Sequence, residues 1–457
     1  MQISARTRKI KFWWHLTLAY FKRYQLRLLI FLLITGATSY LVFKLAPNIL
    51  RNNIVSIGYV GNYTLDTIPT NVLSLATKSL VTSDNAGRSI PSLASQWTVS
   101  DDGKTYIVFL KDNLFWHDST PVQAQDISLA ISGVDVTALN NKAIQFKLPN
   151  PIASFPQALN TPVFKVHTFY GTGDFRIVDI TKIDNIVKKI TLYPKDDKLP
   201  KVEIKFYPTQ EQAQEALKIG EIKVLSSTSV KNLTTWPNLN VKKDISTDQI
   251  ITIFYNLSKQ NLSSKELRQA LSFAINRDSF DGKIASGPIS FTSWAFNPDI
   301  KTYNYDTQKS KELISKSNQK DIKITLSYVP SLKDVAEKIQ KNWESVGIKT
   351  ELKEEKNIPK NFDALLAMDK VPTDPDQYAL WHSTQASTNI TGYKNQKIDK
   401  LLEDARVTQK EDERKALYFD FQKFLVEDEP ATFLYNPYKY EVSYKNISKL
   451  LSKLPPL

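Results

Sequence analysis

The chain of 457 residues contains no cysteine. No disulfide can staple it, no lipid-modified cysteine can tether it, and no thiolate can serve as nucleophile or metal ligand. Histidine is nearly as scarce: His15, His117, His167 and His382 are the whole supply, with no metal-like spacing among them. His117 reads as a strand-end residue hydrogen-bonded to its neighbours. A Gly-x-Ser-x-Gly elbow, a phosphate-binding loop and a His-Glu-x-x-His helix are all missing, so the usual sequence supports of enzyme chemistry are absent. No internal repeat and no low-complexity linker interrupts the chain. No acidic residue occurs before Asp66.

That last absence explains the net charge of +13. The first 51 residues hold nine bases, Arg6, Arg8, Lys9, Lys11, Lys22, Arg23, Arg27, Lys44 and Arg51, which leaves +4 for everything else. Phosphate binding needs a basic face clustered on the folded part, so no nucleic-acid partner is expected. With 42% hydrophobic and 23% charged residues the composition is that of an ordinary globular protein. At this length two or three lobes are expected rather than one core.

Residues 28–43 carry no charge, and the aromatic and basic stretch KFWWHLTLAYFKRYQ precedes them. A transmembrane helix is expected over 28–45. Its apolar run is short against the ~20 residues a helix needs to cross a bilayer, and Arg27 and Lys44 can snorkel to make up the difference. Seven of the nine bases come before it, which places residues 1–27 as a cytoplasmic leader and the chain from Ala46 onward outside. Ala37 and Ser39 are small enough to leave a cleavable signal peptide as the alternative, but apolar YLVF continues past them. A short stalk is expected over 47–53.

Further on, two segments share one order of periodicities. Val202, Ile204 and Phe206 alternate as a strand, Thr209 and Gln212 form a capping box before Ala213, Ala216 and Leu217, Gly220 ends that helix, and IKVL returns as strand. Ile322, Ile324 and Leu326 alternate likewise. Ser331 then caps a helix with Val335, Ile339, Trp343 and Val346 on its buried face, closed by Gly347 before IKTEL. Two βαβ units so far apart, with the helical KELRQALSFAINRDSF between them, imply two α/β lobes on separate sheets, and a ligand cleft between them. In the last third Ile398, Leu401, Leu402 and Ala405 share a helical face, and a second helix follows, with a Thr408/Glu411 capping box and Pro430 as its stop.

From about residue 54 to about 440 the order of short motifs resembles the family 5 bacterial extracellular solute-binding proteins, which bind oligopeptides, dipeptides or nickel. Trp97, Asp102, Gly103, Phe115, His117, Asp118, Pro121, Ala124 and Asp126 fill the places of the family's most recognisable segment. Ser119 stands where glycine is usual, which suggests a changed turn. GTGDFRI at 171–177, EALKIGEIKV, Asn256, the Arg268 to Leu271 and Ala274 to Arg277 runs, YDTQKSKELI and DPDQYALWHSTQASTNITGYKNQKIDKLLEDAR continue the series, with Asp174 and Lys223 departing from it.

The resemblance implies an α/β, two-lobed periplasmic-binding-protein-like fold of type II with an extra inserted subdomain, preceded here by the transmembrane helix. Lobe I is expected from 52–80, 165–250 and 431–457, the inserted subdomain from 81–164 and lobe II from 251–430, with hinge positions at Asn256 and Asn436. It implies a monomeric protein at the cell membrane, not an enzyme, without cofactor or metal, whose partners are a peptide or small-molecule ligand and an ABC transporter permease. A sensor or scaffold ectodomain that keeps the fold without transport is the alternative. Candidate ligand-binding residues are the aromatics Trp116, Trp294, Trp381, Tyr393 and Tyr435, each offering flat apolar surface with a polar edge. In peptide binders of the family an aspartate shortly before an Asp-Pro pair holds the ligand's amine. The pair here is Asp374 and Pro375, alignment places Val371 at the acid's position, and Asp369 and Asp374 are the nearest carboxylates able to take the role.

Overall fold

The strand Ala431–Tyr444 organises the molecule. In this computed structural model its first half pairs with Gln249–Tyr255, and its second half pairs with Leu239–Ile245 and Val224–Ser227. The structure describes residues 53–455 apart from 228, 231, 232 and 234, and in the N-terminal part 11–20, 22–24, 30, 31 and 33–40.

In the first lobe Ile54–Val60 runs parallel to Lys201–Tyr207 and to Val224–Ser227. The hairpin Phe175–Ile183 and Ile186–Pro194 extends that sheet antiparallel. In the second lobe Gln249–Tyr255 lies antiparallel to Ala364–Lys370, which pairs in parallel with Lys323–Tyr328, and that in turn with Lys349–Glu354. Between the first lobe's segments sits a smaller unit with a four-stranded antiparallel sheet of Ala94–Val99, Thr105–Leu110, Asp135–Asn140 and Ala143–Lys147. It has its own core, centred on Tyr106, Phe146 and Trp116.

The two βαβ units form, but their sheets are not separate. Both belong to one hydrogen-bonded sheet of twelve strands, because Ala431–Tyr444 is long enough to serve the two lobes in succession. Val202, Ile204 and Phe206 are buried as their alternation requires, and Thr209 accepts from the Gln212 N–H at 3.3 Å before the helix Gln210–Lys218. Ser331 does not cap its helix. It falls inside the 3-10 turn Pro330–Leu332, and Lys333–Ser345 follows directly without a side-chain cap. Thr408 closes the preceding helix Gln396–Val407 instead of opening the next, donating its hydroxyl to Asp404 O at 2.7 Å. The helix Glu411–Asp428 compensates with Glu411, Asp412 and Glu413 in its first turn, where the helix dipole favours negative charge. The helical stretch after 264 stops at Phe273, and the motif's Arg277 begins a 3-10 turn.

His117, a family-motif residue, locks the inserted unit to the first lobe. His117 accepts from Gly171 N–H at Nδ1 and faces Gly173 O with Nε2, both at 3.1 Å, a geometry that fits the Nε2–H tautomer. Burial pushes its pKa down, in keeping with a neutral ring. Ser119 has φ +67°, in the left-handed region that favours glycine, so the turn keeps a glycine-type backbone despite the substitution.

Of the segment expected to cross a membrane, 28–45, residues 28, 29, 32 and 41–45 lie outside the described residues; those described within it, 30, 31 and 33–40, are helical. Among the described residues no helix is long and apolar enough to span a bilayer.

Replacing Ser119 with glycine should relieve the left-handed strain and raise the unfolding free energy by about 0.5–1 kcal/mol. Urea denaturation monitored by tryptophan fluorescence measures this, and an unchanged or lowered midpoint would show that the serine side chain stabilises the turn.

Candidate functional site

Strand periodicity decides where the candidate acids point. Ile250 and Phe254 lie with Leu365, Ala367 and Val371 in one core of the second lobe, whereas Ile251, Ile253 and Tyr255 lie with Ala364 and Leu366 in the other. Asp369, opposite Ile250, has the phase of Leu365, Ala367 and Val371. It therefore leaves the sheet on the first of these faces, at the rim of an apolar cluster. Burial pushes its carboxyl up to about 6, opposed only by a hydrogen bond from the Lys370 backbone. Among the described residues it has no ion pair within 4 Å.

Two residues along, Val371 lines a cavity of about 390 Å³. Its wall combines Asp84 and Gly87 from the loop of the Val81–Ser83/Ser89–Pro91 hairpin, Asp248 from the crossing between lobes, and Ser293 and Thr373 from the second lobe. Two carboxylates line it, and among the described residues no lysine or arginine does. Asp84 Oδ1 accepts from the Ala86 and Arg88 N–H groups, both at 2.8 Å, and so shapes the loop. Asp248 accepts from Ser246 Oγ at 2.7 Å.

The same loop reaches the second lobe. Trp294 N–H donates to Ala86 O at 2.9 Å, and Arg88 Nε lies 2.9 and 3.0 Å from the two Glu411 carboxylate oxygens. Gly87, at φ +84°, passes so close to Thr373 that an added Cβ would lie 2.5 Å from its carbonyl oxygen. Only glycine allows that approach.

Asp374 has a different fate from Asp369. Its carboxylate meets Arg414 at 2.9 and 3.3 Å and accepts from Asp376 N–H at 3.0 Å. Burial raises its pKa while Arg414 opposes the rise. The guanidinium also lies 5.4 Å from the Trp294 ring and donates to Ala405 O, so Asp374 and Trp294 brace one packed junction. Trp381 is 1% exposed, stacked on Phe254 and bonded to Gln377. Tyr393 is buried with its hydroxyl donated to Asp428 at 2.7 Å. Tyr435 is buried against Phe280, and Trp116 fills the inserted unit's core. None of the seven residues picked out from sequence is in the cavity wall: Asp369 lies two residues before Val371, Asp374 follows Thr373, and Trp294 follows Ser293.

Of the two hinge candidates, Asn436 is buried in the crossing and donates to Gln249 O at 2.8 Å. Asn256 lies just beyond the strand, where it holds Phe362 O and the Ser258 turn. Sequence reading missed Asp84, Gly87, Asp248 and Ser293. The Asp-Asn-Ala-Gly run was a legible turn signal, but nothing local shows what a turn faces. A larger cavity of about 450 Å³, around Arg277, Tyr303 and Glu429, lies wholly within the second lobe. Among the described residues no cluster of three or more histidine, aspartate or glutamate side chains could hold a metal ion.

Residues 88–391 match the family described as Bacterial extracellular solute-binding proteins, family 5 Middle. The oligopeptide-binding protein AppA of Bacillus subtilis is 28% identical over 287 residues, which covers 54% of this chain and only 53% of AppA. The dipeptide-binding protein of Escherichia coli is 24% identical over 452 residues, 78% of this chain and 83% of the relative. Among solved structures, the ABC transporter substrate-binding protein CtaP of Listeria monocytogenes superposes with a TM-score of 0.73 at 23% identity, covering 86% of this chain and 94% of CtaP. At that identity the likeness shows a shared fold.

Asp369 titrates near pH 6 in the fold but near 4 once unfolded, so the folded state binds more protons between those values. The contribution of this carboxyl is fully present below about pH 4 and is lost as pH rises through 6. Asp369→Asn should therefore gain about 1–2 kcal/mol relative to the wild type between pH 4.5 and 7 in the absence of ligand. A stability difference that stays constant with pH in urea titrations would show that the carboxyl is not desolvated.

Proposed function

The chain belongs to the bacterial extracellular solute-binding proteins of family 5, and from that membership we propose that it is a membrane-anchored, extracytoplasmic receptor that captures peptides or peptide-like solutes between its lobes and hands them to an ABC permease. The family consists of solute-binding proteins and not enzymes. The observation that carries the peptide reading is the desolvated Asp369 carboxylate, without an ion pair among the described residues, on the strand that leads two residues later to Val371 in the wall of a cavity lined by acids and no base. A ligand amine would supply the missing cation. A buried charge pair forms readily only where both partners arrive together, so the ammonium and the carboxylate solve one another's desolvation. The names of relatives that bind oligopeptides and dipeptides support the same class of ligand.

Closure follows from the two crossings, 246–248 and 436–437, the places where the chain passes between lobes. Asn436 reaching Gln249 O ties the crossings together, so they would bend as one hinge. The anchor reading rests on the uncharged run 28–43 and the nine bases around it.

Isothermal titration with free and N-acetylated forms of one peptide tests the ligand reading. The free form should bind more tightly, and Asp369→Asn should cost about 2–5 kcal/mol, the range for truncating one side of a buried charge pair. Equal affinity for both forms would remove the amine-binding role. The full chain should stay in the membrane fraction through high-salt and carbonate washes, because apolar burial retains it, and release by salt would refute the anchor.

A further inference from the structure

The +4 charge that remains after residue 51 is not spread over the surface. Residues 195–201 carry a net +1 and residues 445–457 a net +3, so the rest of the chain beyond residue 51 sums to zero. These two segments meet in space. Lys453 Nζ donates to Lys198 O at 3.0 Å, and Leu199, Leu450, Leu451 and Leu454 all pack against the first lobe's core. With the leucines turned inward, Lys195, Lys198, Lys201, Lys445, Lys449 and Lys453 are exposed. None of the six has an ion pair within 4 Å among the described residues. Asp196 and Asp197 share the loop, and the Lys195 N–H is bonded to Asp174 O, so three acids temper the patch without cancelling it.

The position of the patch gives it meaning. It occupies the edge of the sheet where the parallel strands begin: Lys201 pairs with Ile54, and its N–H donates to Asn53 O at 2.8 Å. Asn53 is where the described fold takes over from the N-terminal segment. The crossings between the lobes lie at the other ends of these strands, so the lysines face away from the cavity. We infer that this lysine edge rests on the anionic headgroups of the membrane that holds the N-terminal helix, and so fixes how the protein stands on the bilayer. The inference rests on the anchored reading above. From the end of the expected span at residue 45 to Asn53 the chain can reach at most roughly 28 Å. That tether keeps the edge close to the surface, where attraction acts over a Debye length of about 10 Å.

The lack of native cysteine makes the test direct. Single-cysteine full-length proteins, Ser452→Cys at the lysine edge and Ser345→Cys at the exposed end of a second-lobe helix, carry a fluorophore and are reconstituted into vesicles with quencher-labelled headgroups. In phosphatidylcholine mixed with phosphatidylglycerol the probe at 452 should be quenched several-fold more than in phosphatidylcholine alone, and the probe at 345 should not. Raising the salt, or combining Lys198→Glu, Lys449→Glu and Lys453→Glu, should abolish the difference. Quenching at 452 that is absent, or equal in both vesicles, while the protein survives carbonate washing, overturns the lipid contact and leaves the anchor standing. Loss of the protein from the vesicles in carbonate overturns both.

Discussion

Ala431–Tyr444 is hydrogen-bonded to strands of both lobes, yet none of its residues pairs with strands of both. Residues 431–437 belong to Gln249–Tyr255 and the short strand Gly282–Ile284, and residues 438–444 to Leu239–Ile245 and Val224–Ser227. The two half-sheets are thus joined end to end along one strand. A continuous strand resists shear and stretching, because its hydrogen bonds lie across the direction of pull, and it can still twist at the point where its partners change. Pro437 stands at that point, without an N–H to donate, and its carbonyl accepts from Ser246 on the other crossing. Any motion between the lobes has to pass through this short stretch.

Asp369 and Asp374 show how position, more than residue type, sets a carboxylate's role. They lie five residues apart in one segment, and both are drawn out of water. Arg414, forty residues further on, satisfies Asp374 and makes it part of the packing around Trp294. Asp369 has only the Lys370 backbone to set against the cost of its desolvation, and no ion pair among the described residues.

Much of the fold was legible because its signals are local. Alternation at Val202, Ile204 and Phe206, the helical face of Ile339 and Trp343, and the breaks at Gly220 and Gly347 each depend on neighbours within a turn or a strand. The capping assignments at Ser331 and Thr408 failed because two hydroxyls in the right register compete with a 3-10 turn and with a preceding helix's own carbonyls. The site was harder to read. Aromatics at element ends look alike whether they line a cleft or fill a core, and Trp116, Trp381, Tyr393 and Tyr435 all went to cores. Asp84 and Gly87 gain their importance from Thr373 and Trp294, a proximity set by the docking of two units that no short sequence window contains.

The placement of the joining strand also bears on how the molecule comes into being. A ribosome makes Val224–Ser227 more than two hundred residues before Ala431–Tyr444, yet that later strand is one of its two neighbours in the sheet. Until residues 431–444 emerge, the first lobe lacks an edge and the second lobe lacks a central partner for Gln249–Tyr255. The nascent chain therefore carries two unfinished sheets with open edges, and both close in the same late event. Such long-range pairing favours slow folding and makes the incomplete chain dependent on protection against aggregation, whereas a product cut short before residue 431 would complete neither lobe.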